Sequence, residues 1–214
     1  MKANTIHGLY AITSQAPTAQ LLAAVAQAIA GGACLVQYRD KNSPETTRRQ
    51  QAKALLKLCR RHKVPLIIND DTALAQAVSA DGVHLGQDDG AIGEARERLG
   101  PTAIIGASCY NRLERAHKAA AEGANYIALG SFFPSASKPD ALHAPLELLH
   151  QARITLEIPI VAIGGITPQN GASLVAAGAD ALAVINGLFG KKDITTAARR
   201  YTQLFQHPAV QACP

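Results

Sequence analysis

Short runs of strand-forming residues recur along the chain: Leu9 to Thr13, Cys34 to Tyr38, Leu66 to Asn69, Gly82 to Leu85, Ala103 to Gly106, Tyr126 to Leu129, Ile160 to Ile163 and Ala181 to Ile185. Most are continuously apolar rather than alternating, the pattern of strands buried on both faces of a parallel sheet. Between them, apolar residues return at helical spacing, as in Leu21, Leu22, Val25 and Ile29, or Ala52, Leu55, Leu56 and Cys59. Strand and helix therefore alternate from end to end. Gly32-Ala33-Cys34, Ala80-Asp81-Gly82, Gly123-Ala124-Asn125 and Gly178-Ala179-Asp180 each lead out of a helix into a strand, a weak internal repeat in which glycine ends the helix and turns the chain. Pro44, Pro145 and Pro168 stand just inside the starts of predicted helices, where a missing N–H costs nothing. The pattern predicts an α/β fold: one domain over residues 1–214, a (β/α)8 TIM barrel from about 7 to 206 with a short C-terminal tail, ahead of a doubly wound open sheet.

Composition narrows the class. The chain has 214 residues, 48% hydrophobic and 17% charged, which is a globular profile rather than a disordered one. No apolar stretch approaches the roughly 20 residues that span a bilayer. The four cysteines, Cys34, Cys59, Cys109 and Cys213, show none of the short spacings of a zinc or redox site, so a reducing cytoplasm is the expected setting. The formal charge of +5 suits an anionic partner. Much of it, however, lies between Arg48 and Lys63, where Arg49, Lys53, Lys57 and Arg60 form one stripe of an amphipathic helix. That stripe reads as a solvated face, and with 4% aromatics and no nucleic-acid motif, RNA or DNA binding is disfavoured.

Chemistry concentrates where the strands end, the face on which such barrels carry their active sites. Gln37, Arg39, Asp40 and Lys41 follow the second strand, Asn69, Asp70 and Asp71 the third, and Gln87, Asp88 and Asp89 the fourth. Ser108 follows the fifth and 135–138 the sixth, while Gly164-Gly165 and Asn186-Gly187 end the seventh and eighth. Asp70 and Asp89 on adjacent strand ends suit a magnesium ion that keeps water and substrate phosphates in its shell; the alternative for such aspartates is capping and turn formation. Lys41, Arg39 and Lys138 facing that mouth would need an anion such as a pyrophosphate between them and the metal, unless Lys138 is a mobile surface lysine. Glycine pairs on strands seven and eight fit the phosphate site of these barrels. The sum is two anionic substrates. His84, inside an apolar strand, reads as structural at least as readily as catalytic, and Cys109 as a small buried residue.

Together, Val36-Gln37-Tyr38-Arg39-Asp40-Lys41, Ile67-Ile68-Asn69-Asp70-Asp71, Asp81-Gly82-Val83-His84-Leu85-Gly86-Gln87-Asp88-Asp89, Phe133-Pro134-Ser135-Ala136-Ser137-Lys138-Pro139 and Ile163-Gly164-Gly165-Ile166-Thr167 resemble the thiamine phosphate synthase (thiamine-phosphate pyrophosphorylase) family over nearly the whole chain. The resemblance implies a transferase that joins 4-amino-2-methyl-5-hydroxymethylpyrimidine diphosphate to 4-methyl-5-(2-phosphoethyl)thiazole, or its carboxylated form, giving thiamine phosphate and pyrophosphate. It implies that Gln37, Tyr38, Arg39, Asp40, Lys41, Asn69, Ser108 and Lys138 bind the pyrimidine diphosphate, and that Arg39, Lys41, Ser108 and Lys138 assist its departure. Asp70 and Asp89 would hold one magnesium ion per subunit. Ser135, Ala136, Ser137, Gly165, Ile185 and Asn186 would bind the thiazole phosphate. Ser108-Cys109-Tyr110-Asn111 stands where Ser-Thr-His is frequent, Ser135 and Ser137 replace threonines, and Asn186 replaces a serine.

The expected partners are small phosphorylated molecules, without nucleic acid or membrane, for a monomer or a homo-oligomer. A thiazole tautomerase of the same fold or a ligand-sensing paralogue would dispense with some of Lys41, Asn69, Asp70, Asp89 and Lys138, all of which are retained. The stretch 131–145, long and rich in small residues, is the expected lid.

Overall fold

The computed structural model describes residues 6–87, 89–134 and 142–206. Among them the strands are β1 (Gly8–Ile12), β2 (Ala33–Tyr38), β3 (Leu66–Asn69), β4 (Gly82–Leu85), β5 (Ile104–Tyr110), β6 (Tyr126–Gly130), β7 (Ile160–Ile163) and β8 (Ala181–Val184). The helices are α1 (Thr18–Ala30), α2 (Glu45–Arg61), α3 (Thr72–Val78), α4 (Ile92–Leu99), α5 (Leu113–Ala121), α6 (Leu146–Thr155), α7 (Pro168–Ala176), the single turn α8 (Asn186–Phe189) and α9 (Ile194–Gln203). The strands pair in parallel in chain order, and β8 returns to β1, with Leu9 opposite both Ala33 and Leu182. Closure of this ring excludes the open sheet.

Each strand alternates between two apolar environments, which is why its sequence reads as continuously hydrophobic. Tyr10, Leu35, Ile67, Ile104, Tyr126, Val161 and Ala183 fill the barrel interior. Their neighbours Leu9, Val36, Leu66, Val83, Ile105, Ile127, Ile160 and Leu182 face the helices in a separate, larger core. This two-residue parity decides which strand-end side chains reach the mouth: Gln37, Asn69, His84 and Ser108 have inward parity, whereas Tyr38 and Cys109 belong to the outer core.

The internal repeat has a structural cause at the opposite end of the barrel. Asp81 and Asp180 each accept a backbone N–H from Leu66 and Ile160, and Asn125 accepts one from Ile105, all at 2.8 Å. In these three copies the acceptor ties the incoming strand to the start of its neighbour. Gly32, Gly123 and Gly178 have φ of +99°, +89° and +105°, as the repeat predicts. At the fourth copy the left-handed residue is Ser79 (φ +56°), and Gly82 serves a different purpose: a Cβ there would strike the Ile104 carbonyl. Pro168 occupies the first turn of α7 as expected, but Pro44 and Pro145 are the residues just before their helices.

Helix α2 buries Ala52, Leu55, Leu56 and Cys59 and exposes Arg49, Lys53, Lys57 and Arg60, so the basic stripe is a solvated face. Among the described residues no helix is long and apolar enough to cross a membrane.

Candidate active site

The β2 strand end builds the first wall of the mouth. Gln37 is buried inside the barrel, its Nε2 donating to Tyr10 Oη at 2.8 Å. Asp40 turns back into its own loop, where Oδ1 accepts the Asn42 and Ser43 N–H groups at 3.0 Å each. Burial works against this carboxylate, but the Ser43 and Asn42 hydrogen bonds, with Arg48 nearby, hold its pKa below the usual value. Asp40 thus shapes the loop that presents its half-buried neighbour Arg39, whose backbone N–H is held by Thr13 Oγ1 at 2.9 Å, and the exposed Lys41. Tyr38 departs from the expected substrate set: its ring lies in the outer core and its hydroxyl donates to Gln51 of α2 at 2.8 Å. Strand parity puts it on the far side of the sheet from the mouth.

The second wall is acidic. Asp70 adopts a left-handed backbone, φ +63°, which aspartate tolerates better than most residues. Its Oδ2 pairs with Lys41 Nζ at 2.9 Å, and its carboxyl group shares a hydrogen bond with Asp89. Asp89 in turn accepts the Gly86 N–H at 2.8 Å, and a side chain at position 86 would collide with that carboxylate. Burial disfavours the Asp70 anion, yet the hydrogen bonds from Lys41 and Asp89 keep its pKa low. Asp89 is pushed upward by burial and by the Asp70 hydrogen bond and charge. Two neighbouring carboxyl groups repel when both are ionised, and a cation between them relieves that repulsion. A cleft of ≈ 860 Å³, lined by Asp70, Asp71, Asp89 and Glu94 among others, admits solvent beside them. The donor set fits magnesium, which needs one or two carboxylates and keeps water and phosphate oxygens for the rest. Among the described residues no group of three or more His, Cys, Asp or Glu is arranged to hold a metal ion by itself. Asp71, by contrast, caps α3 through the Leu74 N–H at 2.8 Å and pairs with Arg48 at 3.0 Å.

Inside the barrel, below this rim, runs a connected set of polar side chains that sequence reading missed. Tyr10 Oη meets Tyr126 Oη at 2.8 Å, Tyr126 Oη meets His84 Nδ1 at 2.9 Å, and His84 Nε2 meets Ser108 Oγ at 2.9 Å. Burial, only partly offset by the Asp70 charge, pushes the His84 pKa down to about 4, so the ring is neutral at pH 7. Two strand tyrosines look apolar in a sequence; only their inward parity reveals the hydroxyls. Cys109 is buried, with its thiol pushed up to about 12, and is not a nucleophile.

The opposite wall is formed by glycine. Gly164 (φ +108°) and Gly165 (φ +60°) leave β7, and a Cβ at Gly165 would enter the Phe133 and Pro134 carbonyls. Asn170 Nδ2 fixes the Gly165 carbonyl at 3.1 Å, while Thr167 and Asn170 form a reciprocal cap on α7. Ile185 and Asn186 begin the single turn α8 after β8. Strand ends two to five therefore carry Gln37, Arg39, Lys41, Asn69, Asp70, Asp89 and Ser108 on one side of the mouth, and strand ends seven and eight carry Gly165, Ile185 and Asn186 on the other. Ser135, Ala136, Ser137 and Lys138, and with them the middle of the expected lid (135–141), lie outside the described residues.

A family model described as thiamine monophosphate synthase matches residues 9–188. The thiamine-phosphate synthase of Nitrosococcus oceani is 52% identical over 204 residues, covering 94% of both chains. That of Methylobacillus flagellatus is 54% identical over 201 residues, covering 94% of this chain and 96% of its own. Among solved structures, the thiamine phosphate pyrophosphorylase of Pyrococcus furiosus superposes with a TM-score of 0.85 at 36% identity, covering 94% of this chain and 96% of that one. Both the sequence matches and the barrel superposition extend across the two walls of the mouth, and the chain belongs to the thiamine monophosphate synthase family.

Proposed function

We propose that this chain is a thiamine-phosphate synthase, joining 4-amino-2-methyl-5-hydroxymethylpyrimidine diphosphate to 4-methyl-5-(2-phosphoethyl)thiazole or its carboxylated form, with release of pyrophosphate. The observation that carries this reading is the meeting of Asp70, Asp89 and Lys41 across from the Gly164-Gly165 turn on one barrel mouth. A diphosphate needs cations around it, and a phosphomonoester needs close-approaching backbone.

Asp70 and Asp89 would hold magnesium, which when bound supplies positive charge against the diphosphate. Lys41 and Arg39 add charge to the same oxygens, and Lys138 would do so from the loop after β6. Ser108 donates a hydrogen bond to the diphosphate, and Gln37 and Asn69 orient the aminopyrimidine over the barrel interior. With the leaving group neutralised, its C–O bond breaks ahead of attack, and the electron-rich pyrimidine stabilises the methylene cation left behind. The thiazole nitrogen then forms the C–N bond. No base or covalent nucleophile is required, in keeping with a neutral buried His84 and an inert Cys109. Gly165, Ile185 and Asn186, with Ser135, Ala136 and Ser137, would seat the thiazole phosphate. Cys34, Cys59 and Cys109 are free thiols, which suits the cytoplasmic setting we propose.

The tautomerase alternative is not favoured, because it leaves the Lys41, Asp70 and Asp89 constellation without a task. Incubation of the protein with magnesium and both substrates tests the proposal: thiamine phosphate is the expected product.

A further inference from the structure

Five side chains from five strands form one continuous line across the barrel: Gln37 on β2, Tyr10 on β1, Tyr126 on β6, His84 on β4 and Ser108 on β5. Gln37, Tyr10, Tyr126 and His84 are all buried, and Tyr126 fills space that exists because position 106 is glycine. Each phenol carries one proton, and a neutral imidazole carries one donor and one acceptor nitrogen. Every link needs one donor, so a Ser108 proton given away outside the line fixes the donor at each link back to Gln37.

The substrate end sets the direction. A diphosphate oxygen is an acceptor, so Ser108 must give its proton to the ligand and accept from His84 Nε2–H. His84 Nδ1 then accepts from Tyr126, Tyr126 from Tyr10, and Tyr10 from the Gln37 amide, the orientation in which the Gln37 amide stands. That leaves Gln37 Oε1 as the amide's acceptor toward the bound heterocycle. We infer that Tyr10, Tyr126 and His84 are positioning residues forming a directed hydrogen-bond line, which couples an anion oxygen at Ser108 to an N–H donor at Gln37 and so selects amino- over oxo-substituted pyrimidine diphosphates. The inference rests on Gln37 and Ser108 being substrate contacts, as the proposed function has them.

The test measures the line separately from turnover. In ¹⁵N-histidine NMR of the wild-type protein saturated with pyrophosphate and magnesium, with His84 assigned by its loss in His84→Asn, Nε2 carries the proton and Nδ1 does not. Competition binding of 4-amino- and 4-oxo-pyrimidine diphosphates favours the amine by about tenfold or more. Tyr10→Phe frees the Gln37 amide but leaves the Tyr126–His84–Ser108 segment intact; it cuts the preference to about threefold or less and leaves the His84 tautomer and pyrophosphate affinity unchanged. Tyr126→Phe removes the donor to Nδ1, gives a mixed tautomer and weakens pyrophosphate binding several-fold. A proton on His84 Nδ1 in the wild type overturns the inference, as does an undiminished preference in folded Tyr10→Phe. Either result together with normal product formation leaves the synthase reading standing. The expected tautomer and preference without any product count against that reading and not against the line.

Discussion

Asp70 and Asp89, from the ends of adjacent strands, share a hydrogen bond while Lys41 Nζ lies 2.9 Å from the Asp70 carboxylate. Opposed carboxylates destabilise a fold unless a proton or a cation lies between them. Asp89→Asn removes that repulsion and one proposed magnesium ligand together. Turnover should fall by about a hundredfold or more, with a higher magnesium requirement, while the thermal midpoint measured without magnesium stays equal or rises. A lowered midpoint with normal turnover would make Asp89 a structural residue. Chelation of magnesium should abolish turnover in the wild type, and adding the ion back should restore it.

Tyr38 ends β2 with its ring in the outer core, and Lys41, three residues on, stands in the loop beside Asp70. Tyr38→Phe deletes the hydrogen bond to Gln51 in the outer core, so stability should fall by about 1 kcal/mol while KM for the pyrimidine diphosphate stays within about twofold. Lys41→Ala, at an exposed side chain, should leave stability within about 0.5 kcal/mol and reduce turnover at least tenfold. Denaturant melts and steady-state kinetics on the pair check both halves.

Gly165 combines φ +60° with carbonyl oxygens where a Cβ would stand. In Gly165→Ala the turn after β7 must shift away from Phe133 and Pro134. The expected outcome is a KM for the thiazole phosphate raised about tenfold or more, with affinity for the pyrimidine diphosphate little changed. Equal loss for both substrates would argue for general collapse of the mouth.

The buried His84 makes stability depend on pH. Its folded pKa of about 4 lies below the value near 6.5 expected for the unfolded chain. Below about pH 6.5 the unfolded state takes up a proton that the folded ring refuses, so stability is lost as pH falls from about 6.5 toward 4 and levels off below that. Urea titrations of wild type and His84→Asn should therefore converge as the pH drops from 7 to 4.5, where the wild type loses the larger share. Parallel curves would place the His84 pKa near its ordinary value.

The strands were legible because burial on both faces makes them continuously apolar, and β3, β4 and β7 fall where the pattern puts them. The rim was legible because loops after strands carry polar residues with no packing reason to be there, as at Asn69, Asp70 and Asp89. Side-chain direction was not, since continuous hydrophobicity hides the two-residue parity that sends Gln37 inward and Tyr38 outward. The local role of Asp40 was hidden for a related reason: beside Arg39 and Lys41 it resembles a ligand contact, and only the folded loop shows its Oδ1 accepting the N–H groups of its own turn. The interior line was hidden in the same way, because Tyr10, Tyr126 and His84 bring their polar atoms together only once eight strands are closed into a ring.

The central claim is that one mouth holds a metal-bound diphosphate and a phosphomonoester at once. The measurement that tests it most directly is single-turnover product formation by the purified protein with magnesium, the aminopyrimidine diphosphate and the thiazole phosphate. Thiamine phosphate and pyrophosphate should appear in equal amounts, and omission of any one component should stop both. Tight binding of the thiazole phosphate with no product under these conditions would contradict the account.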